Sequence, residues 1–320
     1  MGKLKFAIYW AASCGGCDVA VLDINEKILD VAEAVDIVLW PIALDFKYKD
    51  VEALADGSVD VCLFNGSIRN SEQERIARLL RDKSKAMVAF GACACFGGIP
   101  ALANVSNRER IFQRVYHDTP STVNNGTVPQ TTYKVPEGEL ELPVFYDMVK
   151  SLQQVVPVEY FVPGCPPTPD LVLKAVSAIV AGELPPPGST IAPDKVLCDE
   201  CDRTRSEEKT VREFKRPWQV FADPEKCFLE QGIVCAGPGT RSGCGFRCVK
   251  VNMPCRGCFG PPNGVHDQGA KLLAAMASLV DSDEPDEIEK IVGQIKDPLG
   301  TFYRFGMSNS ILKRVKSDSG

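Results

Sequence analysis

Four cysteines fall within the run SGCGFRCVKVNMPCRGC at 242–258, and the whole chain holds 14. Thiols at that density serve zinc, disulfides or iron–sulfur clusters, and the setting must choose among them. The opening MGKLKFAIYW runs directly into a strand-like pattern, without a secretory signal or twin-arginine extension. A cytoplasmic chain is therefore expected, and a reducing compartment turns clustered cysteines toward metal or redox chemistry. Neither histidine, His117 or His266, stands at ligand spacing from a Cys pair, which argues against a Cys/His zinc finger.

The first thiols sit where strands should end. Cys14 and Cys17 follow the strand-like KLKFAIYW, Cys93 follows KAMVAFGA, and Cys165 closes VEYFVPGC. Open parallel sheets bind ligands outside the carboxyl ends of their strands, so these four thiols converge on one expected site. Each has glycine beside it, which lets backbone approach a bulky inorganic group. A CxxC alone also fits a thioredoxin-like redox pair. Cys62, inside VDVCLFNG, reads as a core thiol. Cys95 could compete with Cys93, but Cys93 comes directly at the strand end.

Eight more cysteines follow at 198–258: Cys198, Cys201, Cys227, Cys235, Cys244, Cys248, Cys255 and Cys258. They divide numerically into two sets of four. Structural zinc held by four thiolates remains open for them, weakened by the redox-type site expected in the first part of the chain.

The elements that must position these residues read as follows. Strands are expected at 3–10, 33–41, 59–67, 85–93 and 158–165. Helices are expected after AASCGGC, with Val21, Ile24, Ile28 and Val31 at helical spacing, at 70–84 from Asn70 or Ser71, and from Thr168-Pro169-Asp170 onward. This alternation predicts a flavodoxin-like, doubly wound parallel α/β sheet. It spans 1–185, with a long insertion at about 101–157 that serves an interface or forms a surface excursion. The Pro-rich GELPPPGSTIAPDK at 182–195 marks a boundary. Residues 186–320 should form an irregular cysteine-rich domain organised by metal, ending in helices at 266–280 and 286–296. Leu273, Met276 and Val280 form the expected packing stripe of the first of these helices.

Composition excludes other classes. Length 320, 45% hydrophobic and 24% charged residues describe a globular chain. A net charge of −6 disfavours nucleic acid as a partner, and no apolar run approaches a membrane span.

Several motifs in order resemble the small, electron-transferring subunit of NiFe hydrogenases. They are Trp10 with CGGC (14–17), GACACFGGIP (91–100), PGCPP (163–167), CDEC (198–201), KCFLEQGIVCAGP (226–238) and MPCRGC (253–258). The resemblance implies three 4Fe–4S clusters: a proximal one on Cys14, Cys17, Cys93 and Cys165, and a distal one on Cys198, Cys201, Cys227 and Cys235. The medial one falls to Cys244, Cys255 and Cys258, with Cys248 filling a corner that many relatives leave vacant. Those relatives carry a medial 3Fe–4S cluster there. Many periplasmic relatives also have histidine at the position of Cys198. Gly16 and Gly98 stand where oxygen-tolerant members carry extra cysteines, so ordinary oxygen sensitivity is implied. No catalytic residue is expected, because the large subunit's RxCxxC and DPCxxC pairs are absent.

The pattern looks most like the cytoplasmic viologen-reducing, deazaflavin-non-reducing hydrogenase of methanogens and some bacteria. That family implies a NiFe large subunit, a small 2Fe–2S electron-transfer subunit and a heterodisulfide reductase complex as partners. NADP- or deazaflavin-linked hydrogenases and a zinc-stabilised scaffold are the alternatives. A respiratory quinone-reducing complex shares the first domain, but typically has adjacent cysteines in its first motif and lacks the second domain.

Overall fold

The computed structural model describes residues 2–206 and 208–313. Ten strands lie along the chain: β1 Leu4–Trp10, β2 Val35–Leu39, β3 Val59–Asn65, β4 Ile68–Asn70, β5 Ser84–Phe90, β6 Thr132–Val135, β7 Gly138–Glu141, β8 Phe145–Lys150, β9 Tyr160–Val162 and β10 Ser189–Thr190. Six of them form a central parallel sheet in the order β10-β9-β5-β3-β1-β2. Outside it, β4 pairs antiparallel with β8, and β6 with β7. Counting only the parallel strands along the chain gives the flavodoxin-like order 2-1-3-4-5 with a sixth strand on the edge. The expected fold class is therefore observed.

The sheet forms because its strands are apolar on both faces, as parallel strands covered by helices must be. In β1, Phe6 and Ile8 point to one core while Ala7 and Tyr9 point to the other. In β5, Val88 and Phe90 join the first core, and Met87 and Ala89 the second. The helix Pro169–Ala181 covers the first face with Leu171, Val172, Ala175, Val176 and Ile179. The helix Ser71–Lys83 covers the second with Ile76, Ala77 and Leu80. Its start resolves to Asn70, whose side chain accepts from Gln73 N–H while Gln73 reaches back to Asn70 N–H.

Four local expectations change. The helical stretch after CGGC breaks into Gly16–Leu22 and Lys27–Ala34, with Asn25 between them at φ 56°, a conformation asparagine tolerates. In the helix Gln268–Ala277 the buried large apolar positions are Leu272 and Met276, beside buried Gln268 and Gly269, and Leu273 faces outward. The last strand of the sheet is β10, inside the Pro-rich bridge, and not β9. Finally, β5 ends at Phe90, and Cys93 lies in the helical turn Ala92–Phe96 that follows.

The insertion is anchored at its base. Asn104 is fully buried, donates to Val149 C=O at 3.0 Å and accepts from Val149 N–H at 2.8 Å. The chain's last described turn closes over this anchor. Ser308 donates to Val149 C=O, Gln154 donates to Ser308 C=O, and Asn309 donates to Cys95 C=O. Gly98 N–H donates to Phe305 C=O at 3.0 Å, so residues 305–309 bolt onto the loop that carries Cys93. A third core, built from Leu272, Met276, Ile291 and Phe302, also takes in Ala101 and Val149.

Asn104→Ala strands the buried Val149 N–H and should cost about 2–3 kcal/mol. A lowered denaturation midpoint checks it, and an unchanged midpoint would show that the anchor carries no stability.

Candidate metal centres

The first thiol group gathers at the carboxyl edge of β1, β5 and β9. Two backbone bonds close it: Gly91 N–H donates to Val162 C=O at 2.8 Å, and Ala92 N–H to Gly164 C=O at 2.6 Å. They zip the loop bearing Cys93 to the loop bearing Cys165. Cys17 feels the fields of Cys93 and Cys165, and Cys93 those of Cys165 and Cys14. The four expected thiols thus lie on the same edge of the sheet, within reach of one another's fields. Cys17 and Cys93 are buried, whereas Cys14 and Cys165 are exposed.

Glycine is obligatory at two points here. A Cβ on Gly91 (φ +87°) would lie 2.3 Å from Cys17 Sγ, and one on Gly98 (φ +59°) 2.5 Å from Cys93 Sγ. The space beside both sulfurs is kept clear. Cys95, two residues beyond Cys93 on the same turn, points the other way. Its thiol donates to Ala89 C=O at 3.2 Å within the second core, together with the fully buried Cys62.

A polar network that the sequence reading missed supports the CGGC loop. The buried Asp18 carboxylate accepts from Trp40 Nε1 at 2.9 Å and from Asn65 Nδ2 at 2.9 Å. Asn65 Oδ1 accepts in turn from Ser13 Oγ at 3.1 Å. Its only trace in the sequence is a carboxylate directly after CGGC and an asparagine ending an apolar strand.

The second group comprises Cys198, Cys201, Cys227 and Cys235, which together line one small cavity. Cys235 receives N–H from Gly237, and Cys227 from Leu229 and Glu230. A Cβ on Gly237 would come within 2.9 Å of Cys198 Sγ. Arg203, also missed, ties these loops together. It donates to Asp223 C=O, Lys226 C=O and Asn252 Oδ1, and lies 3.7 Å over the Phe228 ring.

The third expected group is Cys244, Cys248, Cys255 and Cys258. Cys258 feels Cys244, Cys165 and then Cys248, and Cys255 feels Cys235 ahead of Cys258. Cys248 sits in the short helix Arg247–Lys250, which is entered through Phe246 at φ 39°.

The groups touch in a fixed order. The Cys165 N–H points at the Cys258 sulfur, linking the first group to the third. The Cys255 N–H donates to Cys235 Sγ at 3.3 Å, linking the third to the second. The third group therefore stands between the other two.

Burial dominates the thiol chemistry. It pushes Cys93, Cys198 and Cys258 up to about 12 and Cys235 up to about 11, with neighbouring thiols adding in the same direction. Ligation has to displace these protons, as thiolate–metal binding does. Among the described residues, no three Cys, His, Asp or Glu side chains are spaced to hold one metal ion. Cysteines beside glycine-cleared space, with N–H groups aimed at sulfur, are a donor set that fits an iron–sulfur group.

Comparison with known proteins adds to this geometry. The family model described as "NADH ubiquinone oxidoreductase, 20 Kd subunit" matches residues 14–179. The chain is 42% identical over 320 residues to the iron–sulfur subunit of the F420-non-reducing hydrogenase of Archaeoglobus profundus, covering 97% of this chain and 98% of that one. It is 35% identical over 314 residues to a subunit of the F420-non-reducing hydrogenase of Methanothermobacter thermautotrophicus, covering 97% and 96%. The delta subunit of the NAD-reducing hydrogenase HoxS of Cupriavidus necator matches at 29% over 181 residues, covering 57% of this chain and 80% of that one.

Gly91→Ala should remove one group's iron, roughly four atoms per chain, because the new methyl group occupies the space beside Cys17. Gly16→Ala meets only Cys14 Sγ at 3.4 Å, an ordinary contact, and should keep full iron. Iron analysis of both purified variants checks the contrast.

Proposed function

This chain belongs to the family of hydrogenase small subunits represented by the iron–sulfur subunit of the F420-non-reducing hydrogenases, and on that premise we propose that it carries electrons away from a NiFe centre on a large-subunit partner through three 4Fe–4S clusters. The observation that carries the reading is the contact order of the thiol quartets, first to third to second. Bound there, such clusters supply one-electron redox chemistry, tuned by charge, hydrogen bonds and exposure.

The chain's own residues hold and shield. Cys14, Cys17, Cys93 and Cys165 form the proximal ligand set, Cys244, Cys248, Cys255 and Cys258 the medial set, and Cys198, Cys201, Cys227 and Cys235 the distal set. Backbone N–H groups aimed at sulfur, such as Gly237 to Cys235, stabilise the more reduced and more negative state. Phe259, buried in the sheet core, keeps water out behind Cys258.

Electrons enter at the proximal end. Cys14 and Cys165 are exposed there, and Trp10 and Ile99 present apolar surface beside the same loops. A large subunit covering this face would supply the H2 chemistry for which this chain has no RxCxxC or DPCxxC pair. At the distal end the proposal places a small 2Fe–2S subunit feeding a heterodisulfide reductase complex, supported by the kinship with F420-non-reducing enzymes. A cytoplasmic setting belongs to the same proposal. Among the described residues no helix is long and apolar enough to cross a membrane. A division near 185/186 into a flavodoxin-like part and an iron–sulfur part is likewise proposed.

A NiFe large subunit should copurify with this chain under anaerobic conditions, and the small subunit should carry roughly 12 irons with matching sulfide. Zinc without acid-labile sulfide would sink the relay and favour a scaffold. EPR of the intact complex should show no medial 3Fe–4S signal, since Cys248 completes that quartet; such a signal would remove Cys248 from the ligand set.

A further inference from the structure

Beside the second and third thiol groups lies a concave cavity of about 440 Å³, within the range of small-molecule sites. Cys235 and Cys255 form part of its floor. Phe214, Leu272, Phe302 and Pro254 give it apolar walls, and Trp218 stands exposed in its lining.

The charge of this cavity is one-sided. Lys215, Arg216, Arg256, Lys296 and Arg304 line it against a single carboxylate, Glu213, which pairs with Lys215 at 3.3 Å. Outside the lining, Asp297 acts on Arg304, and its side chain also caps Gly300 N–H at 2.9 Å. Arg304 is fixed by its Nε bond to Gly300 C=O at 2.9 Å, and Arg216 lies over the Trp218 ring. Among the described residues neither Arg256 nor Lys296 has an ion-pair partner. Burial, and then the fields of Arg256 and Arg216, hold the Arg304 guanidinium below its ordinary value.

Like charges brought together in a partly enclosed space repel one another unless an anion joins them. Guanidinium forks match phosphate and carboxylate oxygens, and apolar walls suit the body of a small molecule. We propose that this cavity binds a small oxyanionic molecule, one whose phosphate or clustered carboxylate groups are held by Arg216, Arg256 and Arg304. The three arginines come from three separate segments, 213–219, 254–256 and 294–304, and residues 234–236 and Leu272 complete the lining. It does not depend on the electron-relay reading, and its binding can be measured whatever the cluster content.

The test is calorimetric titration of the purified, anaerobic complex with sodium pyrophosphate and, separately, with citrate, both at matched ionic strength. At least one probe should bind saturably, which also tells phosphate from carboxylate recognition. Arg256→Gln combined with Arg304→Gln should weaken that binding roughly tenfold or more. Full iron content in the double variant excludes general damage, and Arg256→Lys should retain part of the affinity. No heat from either probe would assign the cations to balancing buried sulfur charge and overturn the proposal. Unchanged affinity in the double variant, or binding of polyglutamate without binding of either small probe, would overturn it equally.

Discussion

Buried sulfur is the constraint on which the molecule turns. A thiol taken out of water resists losing its proton, and a second thiol beside it resists more. Here burial holds Cys93, Cys198 and Cys258 near 12. Left to themselves these three thiols would be inert protonated groups. They become useful when a positively charged inorganic core replaces their protons and nearby N–H groups meet the remaining negative charge. The glycines at 91 and 98 keep that space open, and the N–H groups of Gly237 and Leu229 face sulfur.

The scaffold around the quartets answers the same demand. Loops carry nearly all of these cysteines, yet loops by themselves are the mobile part of most folds. Three devices stiffen them. The Gly91 and Ala92 N–H groups zip two strand-end loops together. Asp18, Trp40 and Asn65 brace CGGC from beneath. Arg203 links three loop carbonyl and amide oxygens around the distal thiols. The C-terminal turn then fastens itself to the loop after Cys93 through Gly98, Asn309 and Ser308. The cysteine-rich part and the sheet consequently share packing: Phe259 enters the sheet core, and Ala101 and Val149 enter the other.

The cavity lined by Arg216, Arg256 and Arg304 shows the same economy of position. Its floor touches Cys235 and Cys255, the pair whose backbone contact joins two quartets. Charge held in that cavity acts on both sulfurs across a short, poorly screened distance.

By itself the sequence determined the sheet and the helices that cover it, and it placed Cys14, Cys17 and Cys165 at strand ends. Those features rest on local rules: apolar runs make strands, Asn70 and Thr168 cap helices, and ligands collect at strand ends. The motif order also carried the kinship with hydrogenase small subunits. Tertiary structure alone decided the rest. Cys93 and Cys95 are two residues apart, and only the helical turn at 92–96 sends one toward Cys17 and the other into the core. The anchor of the insertion was not legible because its partners, Asn104 and Val149, are 45 residues apart. The contact order of the quartets depends on Cys165 meeting Cys258 and Cys235 meeting Cys255. The converging arginines come from three distant segments. Periodicity and spacing encode what lies within a few residues. Contacts between remote loops appear only when the core has packed and fixed where each loop emerges.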